Sequence, residues 1–414
     1  MTDTTNDTVL NTPQPATPLG TADTIVSGSR WAWVPAVLGL VALLGICAAA
    51  LIPATVVAEK ENRRTMEVQE APYAQVPASA ESVNDRVLFG SDLPDDVPRF
   101  APEGDFFFVT VSAPEQTLLS WFAGRGDPAI DLLTEEDKFG VRTASQRRAA
   151  ALQQMRTAAQ EAQFVALSAA GYEPEISLGE VVVQEVLCRT LGDDGLCEEF
   201  FPSDLAIDPS DTILEAEGVV LNSVEDLSAV LEGKAPGDVV ELKIRRPDEG
   251  ILDVTVELAA SPDDPDRTII GFRPFDTRVV TLPFEVSIDT GRIGGPSAGL
   301  AFTLALIDEL TPGELTGGTN IAVTGTISLD GSVGPIGGLS QKSNAVLQHG
   351  VEVFLVPASQ RELAEGQDEL RQKLDDAGHG RVEIVPVANL EEALAALEAL
   401  GGDPLVPIGA IDAT

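Results

Sequence analysis

Apolar and polar positions divide the chain into stretches of different period. Residues 1–30 show none: they are rich in Thr, Asn, Asp and Pro, with Arg30 the one basic residue, and read as a disordered tail. Residues 31–58 carry no charge at all. That run exceeds the ~20 apolar residues a membrane-crossing helix needs, and Trp31 and Trp33 suit a bilayer interface. The expectation is a transmembrane signal anchor over 31–58, in contact with the lipid bilayer. A cleaved signal peptide is the rival, since Val56-Val57-Ala58 resembles a small-residue cleavage site; the long leader is too poor in positive charge to favour it. Lys60, Arg63 and Arg64 follow the run while only Arg30 precedes it, so charge alone leans toward a cytoplasmic C-terminal part.

From residue 66 onward the pattern is that of packed elements. Residues 66–172 form an N-terminal strand and helix region, with extended segments at 86–89 and 106–112 and a helix that starts at Thr143 or Ser145, runs to about Ala170 and stops at Gly171. This helix is read as a packing element without catalytic residues. Residues 173–262 are mostly β, with strands at 181–187, 212–220, 239–245 and 251–258 and one helix over 224–232 begun by Ser223. A Pro/Asp-rich linker, 261–267, leads to an α/β domain over 268–402. There a glycine turn, 294–299, enters an apolar helix to Leu310; a strand covers 320–329; a second turn, Gly337-Gly338, enters the helix bearing Lys342. A strand (351–356), a helix (359–377), a strand (382–387) and a helix (390–400) follow, and 403–414 reads as a loose tail.

Composition removes several function classes. With 66 acidic against 26 basic residues, a net charge of −40, there is no basic stripe to neutralise phosphates, so no nucleic-acid partner is expected, nor electrostatic docking on anionic lipid. Two histidines and no Cys-x-x-Cys give no metal site, and no cofactor is implied. Cys188 and Cys197 flank a Gly/Asp-rich turn; a disulfide loop and two free thiols both stay open.

The candidate chemistry lies at the two glycine turns. A serine hydroxyl is a weak nucleophile that needs a base, and a lysine serves once its pKa approaches neutrality, which burial and a helix N-terminus both promote. Ser297 and Lys342 each open a helix entered from a Gly turn. The ordinary alternative is an N-capping serine and a solvated lysine.

Residues 285–402 resemble the proteolytic domain of the Lon family on several linked motifs: Gly295-Pro296-Ser297-Ala298-Gly299, Val323-Thr324-Gly325, and Val333 to Leu339 followed by Lys342. The resemblance implies Ser297 as nucleophile, Lys342 as general base and Thr324 as the threonine that supports the lysine. It departs at Gly294, where ATP-dependent members carry an acidic residue. The segments Ile293 to Ser297 and Leu310 to Gly318 are most similar to membrane-anchored, PDZ-containing Lon-like proteases of bacteria. The Asn-Ser-Val-Glu-Asp-Leu and Pro-Gly-Asp-Val-Val-Glu-Leu runs within 222–242 resemble PDZ domains of bacterial proteases, with Ser210-Asp211 in place of the commoner Gly-Asp. The implied fold is an α/β (α+β) Lon-type proteolytic domain preceded by a PDZ-like, mostly β domain and one N-terminal transmembrane helix. The implied function is a single-pass serine endopeptidase of the bacterial cell membrane, its catalytic part extracytoplasmic, acting on polypeptides and assembling into a hexameric ring. No Walker A sequence occurs, so ATP-driven unfolding is not expected from this chain. A non-catalytic PDZ adaptor or chaperone, and hydrolysis of another amide by the same dyad, are the alternatives.

Overall fold

The computed structural model describes residues 33–61, 68–95, 97–127, 129–140, 143–192, 197–247, 249–262, 264–265, 267–360 and 382–411. The chain divides into two units, Met1–Leu51 and Ile52–Thr414. In the first, Val34–Ala49 forms a 16-residue helix with a proline in its first turn. At 1.5 Å per residue it is about 24 Å long, short of a hydrocarbon core of about 30 Å. Among the described residues no helix is long and apolar enough to cross a membrane.

The expected span over 31–58 is therefore corrected. The helix stops at Ala49, ahead of Pro53, which has no N–H for a helical ladder. From Ile52 on, the apolar run belongs to the second unit. The Ile52 carbonyl accepts the Leu118 N–H, Ala54 donates to the Gln116 carbonyl, and Ala54 and Ala58 are fully buried. Trp31 and the tail 1–30 lie outside the described residues.

The second unit holds two six-stranded sheets. One runs in the order Glu383–Val387, Val353–Pro357, Ile321–Val323, Phe106–Ser112, Tyr73–Ser82, Asp131–Leu133. Its first four strands are parallel and the other two join antiparallel. Strict alternation sorts the central strands between two cores. Ile321, Val323, Leu355, Phe106 and Phe108 face the helices Gly299–Leu310 and Ala144–Ala170. Ala322, Phe354, Val356 and Val109 face the helix Leu339–Gln348. The strands expected in a separate region before residue 172 thus supply half of this sheet.

The other sheet runs Gly250–Glu257, Val239–Arg246, Thr212–Ala216, Glu175–Val186, Phe272–Thr281, with Val219–Val220 paired to Thr212–Ala216. The helix Val224–Leu231 starts from a Ser223 capping box, and the apolar residues form a core of their own. The strand Phe272–Thr281 pairs along Glu175–Val186, so this sheet continues past the expected boundary at 262, and the expected linker lies within the turn between Ala259–Ala260 and Thr268–Ile269. Its polar anchor is a two-pronged pair: Arg246 Nη2 and Nε meet Asp211 Oδ2 and Oδ1 at 2.7 and 3.0 Å, with Asp211 fully buried. Ser210 beside it has φ +78°, a conformation glycine adopts without cost. Cys188 and Cys197 form a disulfide that closes a hairpin, Cys188–Leu191 with Cys197–Phe200.

The long helix Ala144–Ala170 has a Thr143 capping box and ends at Gly171 with φ +93°. It packs on Gly299–Leu310 and on both Glu175–Val186 and Phe272–Thr281, which ties the two sheets together. The expected helix at 359–377 falls almost wholly outside the described residues.

Candidate active site

Ser297 ends a loop that is fixed from both sides. Upstream, the Asp289 N–H donates to the Arg86 carbonyl, and the Arg86 guanidinium donates to the Asp289 carbonyl at 2.8 Å. At Gly295, with φ +95°, the N–H donates to the Ala151 carbonyl at 2.8 Å. Downstream, the Ser297 carbonyl accepts the Gly325 N–H at 2.9 Å and the Thr324 hydroxyl at 3.2 Å. The chain then enters Gly299–Leu310, every residue of which is buried, as its uninterrupted apolar pattern dictates. A helix so enclosed holds its N-terminus still.

Lys342 stands in the second turn of Leu339–Gln348, whose N-cap is Gly338 with φ +67°. Gly338 is required twice over: besides that angle, a Cβ there would lie 3.0 Å from Gln75 Nε2 and from a Val111 methyl. Lys342 is 3% exposed. Its Nζ lies 2.7 Å from Ser297 Oγ and 3.0 Å from Thr324 Oγ1, across 45 residues of sequence. No carboxylate among the described residues pairs with it. Burial brings its pKa from 10.5 down to about 7, because desolvation disfavours the ammonium form and nothing nearby restores it.

The serine and lysine helices lie on opposite faces of the same sheet, yet their side chains meet. They do so because both helix starts stand past the carboxyl end of Ile321–Val323, the usual place for a site in an open α/β sheet. Thr324, the next residue, bridges them. Phe106–Ser112 pairs with Ile321–Val323 only through Phe106 to Phe108. Beyond that point the strands part, and the second half of Phe106–Ser112 lines a cavity of about 510 Å³ that contains Ser297 and Lys342.

All three sequence-identified residues, Ser297, Thr324 and Lys342, are therefore brought together. His349 is not: it caps the lysine helix, with Nδ1 2.8 Å from the Ala345 carbonyl. Sequence reasoning missed the contribution of Ala144–Ala170, read there as packing only. Arg148 and Met155 from that helix line the cavity, as does Arg292. No local signal marks Arg148, which is about 150 positions from the serine in sequence.

The same helix explains the glycine at 294. A Cβ there would come within 2.8 Å of the Ala151 Cβ and 3.1 Å of its carbonyl carbon. An acidic side chain has no room. Gly294→Ala should therefore force the loop off the helix and lower stability by about 1–3 kcal/mol; an unchanged urea midpoint would show that the helix yields instead.

Residues 286–397 match the Lon protease (S16) C-terminal proteolytic domain. Similar curated proteins include the Lon protease of Desulfatibacillum aliphaticivorans, 42% identical over 81 residues, which are 19% of this chain and 10% of that one. The Lon protease of Chloroflexus aggregans is 27% identical over 172 residues, 39% of this chain and 20% of that one. The chain thus spans about a tenth to a fifth of the length of these relatives. Among solved structures, the PDZ domain of an SdrC-like protein from Listeria monocytogenes matches 24% of this chain and 92% of its own, at 18% identity and a TM-score of 0.19. The segment that carries Ser297, Thr324 and Lys342 is thus similar to the proteolytic domain of Lon proteases.

Proposed function

We propose that this protein is an ATP-independent serine endopeptidase in which Ser297 is the nucleophile and Lys342 the general base. The observation that carries the reading is the 2.7 Å approach of a buried lysine, without a carboxylate partner, to a serine hydroxyl. A neutral Nζ presents a lone pair to the Ser297 O–H. Thr324 donates its own proton to the Ser297 carbonyl and accepts one from Nζ, which aims that lone pair. Oγ attacks the scissile carbonyl carbon as its proton passes to Nζ. The N–H groups of Ser297 and Ala298 have no acceptor among the described residues, and are the groups to hold the oxyanion. Collapse breaks the C–N bond, and Nζ returns the proton to the leaving amine. Water, deprotonated by the same amine, releases the acyl group and regenerates the serine.

Polypeptide substrates follow from the family likeness, and the PDZ-like sheet would present or gate them by pairing along a strand edge. The Cys188–Cys197 disulfide supports an oxidising, extracytoplasmic setting for the catalytic unit. Val34–Ala49 is the segment left to contact a membrane surface.

The test is digestion of a permanently unfolded protein by the whole chain without ATP, with released peptides read by mass spectrometry. The parent should release peptides and Ser297→Ala none, a loss on the order of 10³-fold or more. Equal release by both would overturn the assignment.

A further inference from the structure

The catalytic cavity has a charge character opposite to that of the rest of the chain. Of the charged side chains that line it, Arg148 and Arg292 are exposed. Neither has a carboxylate partner among the described residues, whereas Arg86, Arg99, Arg189, Arg245, Arg246 and Arg273 each hold one. Arg125, Arg156 and Arg278 likewise have no carboxylate within ion-pair distance among the described residues, but of these unpaired arginines only Arg148 and Arg292 line the cavity of the dyad.

The remaining carboxylate there does not supply the missing charge. Glu81 is engaged by the Arg86 guanidinium and by the Ser79 hydroxyl, the latter at 2.6 Å, and these hydrogen bonds hold its pKa below the ordinary value despite partial burial. Lys342 is the only other ionisable group on the lining, and it is buried with its Nζ against Ser297 and Thr324. The cavity therefore presents, beside the dyad, two guanidinium groups without a carboxylate partner among the described residues.

Their placement is built into the backbone. Arg148 is one turn before Ala151, whose carbonyl holds the Gly295 N–H and whose Cβ abuts Gly294; Met155 follows one turn later on the same face and also lines the cavity. Arg292 lies in the loop itself, two positions before Gly294. One guanidinium thus comes from the helix Ala144–Ala170 and one from the nucleophile loop. Phe108, Val109, Val111 and Ile293 supply apolar wall of the same cavity.

We propose that Arg148 and Arg292 form a carboxylate-binding subsite, so that the enzyme prefers polypeptide segments with Asp or Glu beside the scissile bond. This rests on the peptidase reading above. Guanidinium suits the task because its fixed fork of donors matches a carboxylate and stays charged at any pH of interest. The long-range field of a −40 chain opposes acidic substrates, so discrimination depends on this local pair.

The experiment uses the whole chain and sets of peptides identical except for Glu or Gln, or Asp or Asn, at positions flanking the cut. Each is made with an amidated and with a free C-terminus. In the parent, kcat/KM for the Glu peptide should exceed that for the Gln peptide about ten-fold, and the ratio should shrink at about 0.5 M salt. In Arg148→Gln/Arg292→Gln the ratio should fall to near one. In Arg148→Glu/Arg292→Glu it should invert toward Lys-containing peptides. A ratio near one in the parent, or one unmoved by the double substitution, overturns the subsite while leaving the peptidase intact. A preference confined to free C-termini overturns it too, since a terminal carboxylate is then what is read. If no peptide is cut, the peptidase reading fails. Fluorescence polarisation of labelled peptides on Ser297→Ala then decides the subsite separately: tighter binding of the Glu peptide upholds it, and equal binding overturns it.

Discussion

Peptidase activity should rise about ten-fold per pH unit below neutrality and level off above about pH 8, tracking deprotonation of Lys342. The sign follows from the chemistry: only the neutral amine accepts the serine proton, and burial sets the ammonium pKa at about 7. Lys342→Arg is the sharper test. It keeps a cation of similar reach but one that does not lose its proton, so the variant should be inactive at every pH, on the order of 10³-fold or more below the parent. Lys342→Met, close in volume, separates packing from proton transfer and should be equally inactive. A flat pH profile, or an active Lys342→Arg, would remove the lysine from the general-base role.

Stability should show the imprint of a second buried group, in the helix that follows Ser297. Asp308 is 1% exposed. Its Oδ1 accepts the Leu315 N–H at 2.8 Å, and its Oδ2 has no partner. Desolvation, opposed by the Leu315 hydrogen bond and reinforced by Glu314 and Glu309, raises its pKa from 3.8 to about 7. Between those values the folded chain retains a proton that the unfolded chain has lost, so unfolding free energy falls as pH rises through the window. At one pKa unit per 1.36 kcal/mol the fall amounts to roughly 4 kcal/mol. Asp308→Asn keeps an acceptor for Leu315 and abolishes the ionisation. Urea unfolding from about pH 4 to pH 8 should therefore show a decline in the parent that the variant lacks; the same decline in both would assign it elsewhere.

Lys342 contributes the opposite slope. Its folded pKa is depressed from 10.5 to about 7, so between those values the unfolded chain holds the extra proton and stability rises with pH. Together the two groups place a minimum near neutrality. The lysine's share is the cost of keeping a usable base, whereas no catalytic step above uses Asp308.

Much of this protein was legible in its residues because the relevant physics is local. Thr143 and Gly171 bracket the long helix as cap and left-handed stop, and the segment 106–112 is a strand with those very bounds. Ser223 caps the helix it was expected to begin, and the 239–245 and 251–258 strands pair as a hairpin. The site was legible in a different way. Ser297 and Lys342 stood out through their glycine turns and through the Lon resemblance, and neither signal contains a distance. The bounds of the 31–58 run were misread for a related reason. Apolarity shows that a segment avoids water and does not specify what covers it; here Ala54 and Ala58 are covered by protein.

By itself, then, the sequence determined the elements, their caps and turns, the identity of the nucleophile and base candidates, and the absence of a metal or nucleotide motif. These depend on side chains within a few positions of one another. Tertiary structure alone decided that strands before residue 113 and after residue 320 share one sheet, and that two helices on its opposite faces bring Nζ within 2.7 Å of Oγ. It also decided that Gly294 admits no side chain beneath Ala151, and that Arg148 joins the cavity. Each of these is a contact between residues far apart in the chain, where burial, desolvation and close approach depend on which surfaces meet.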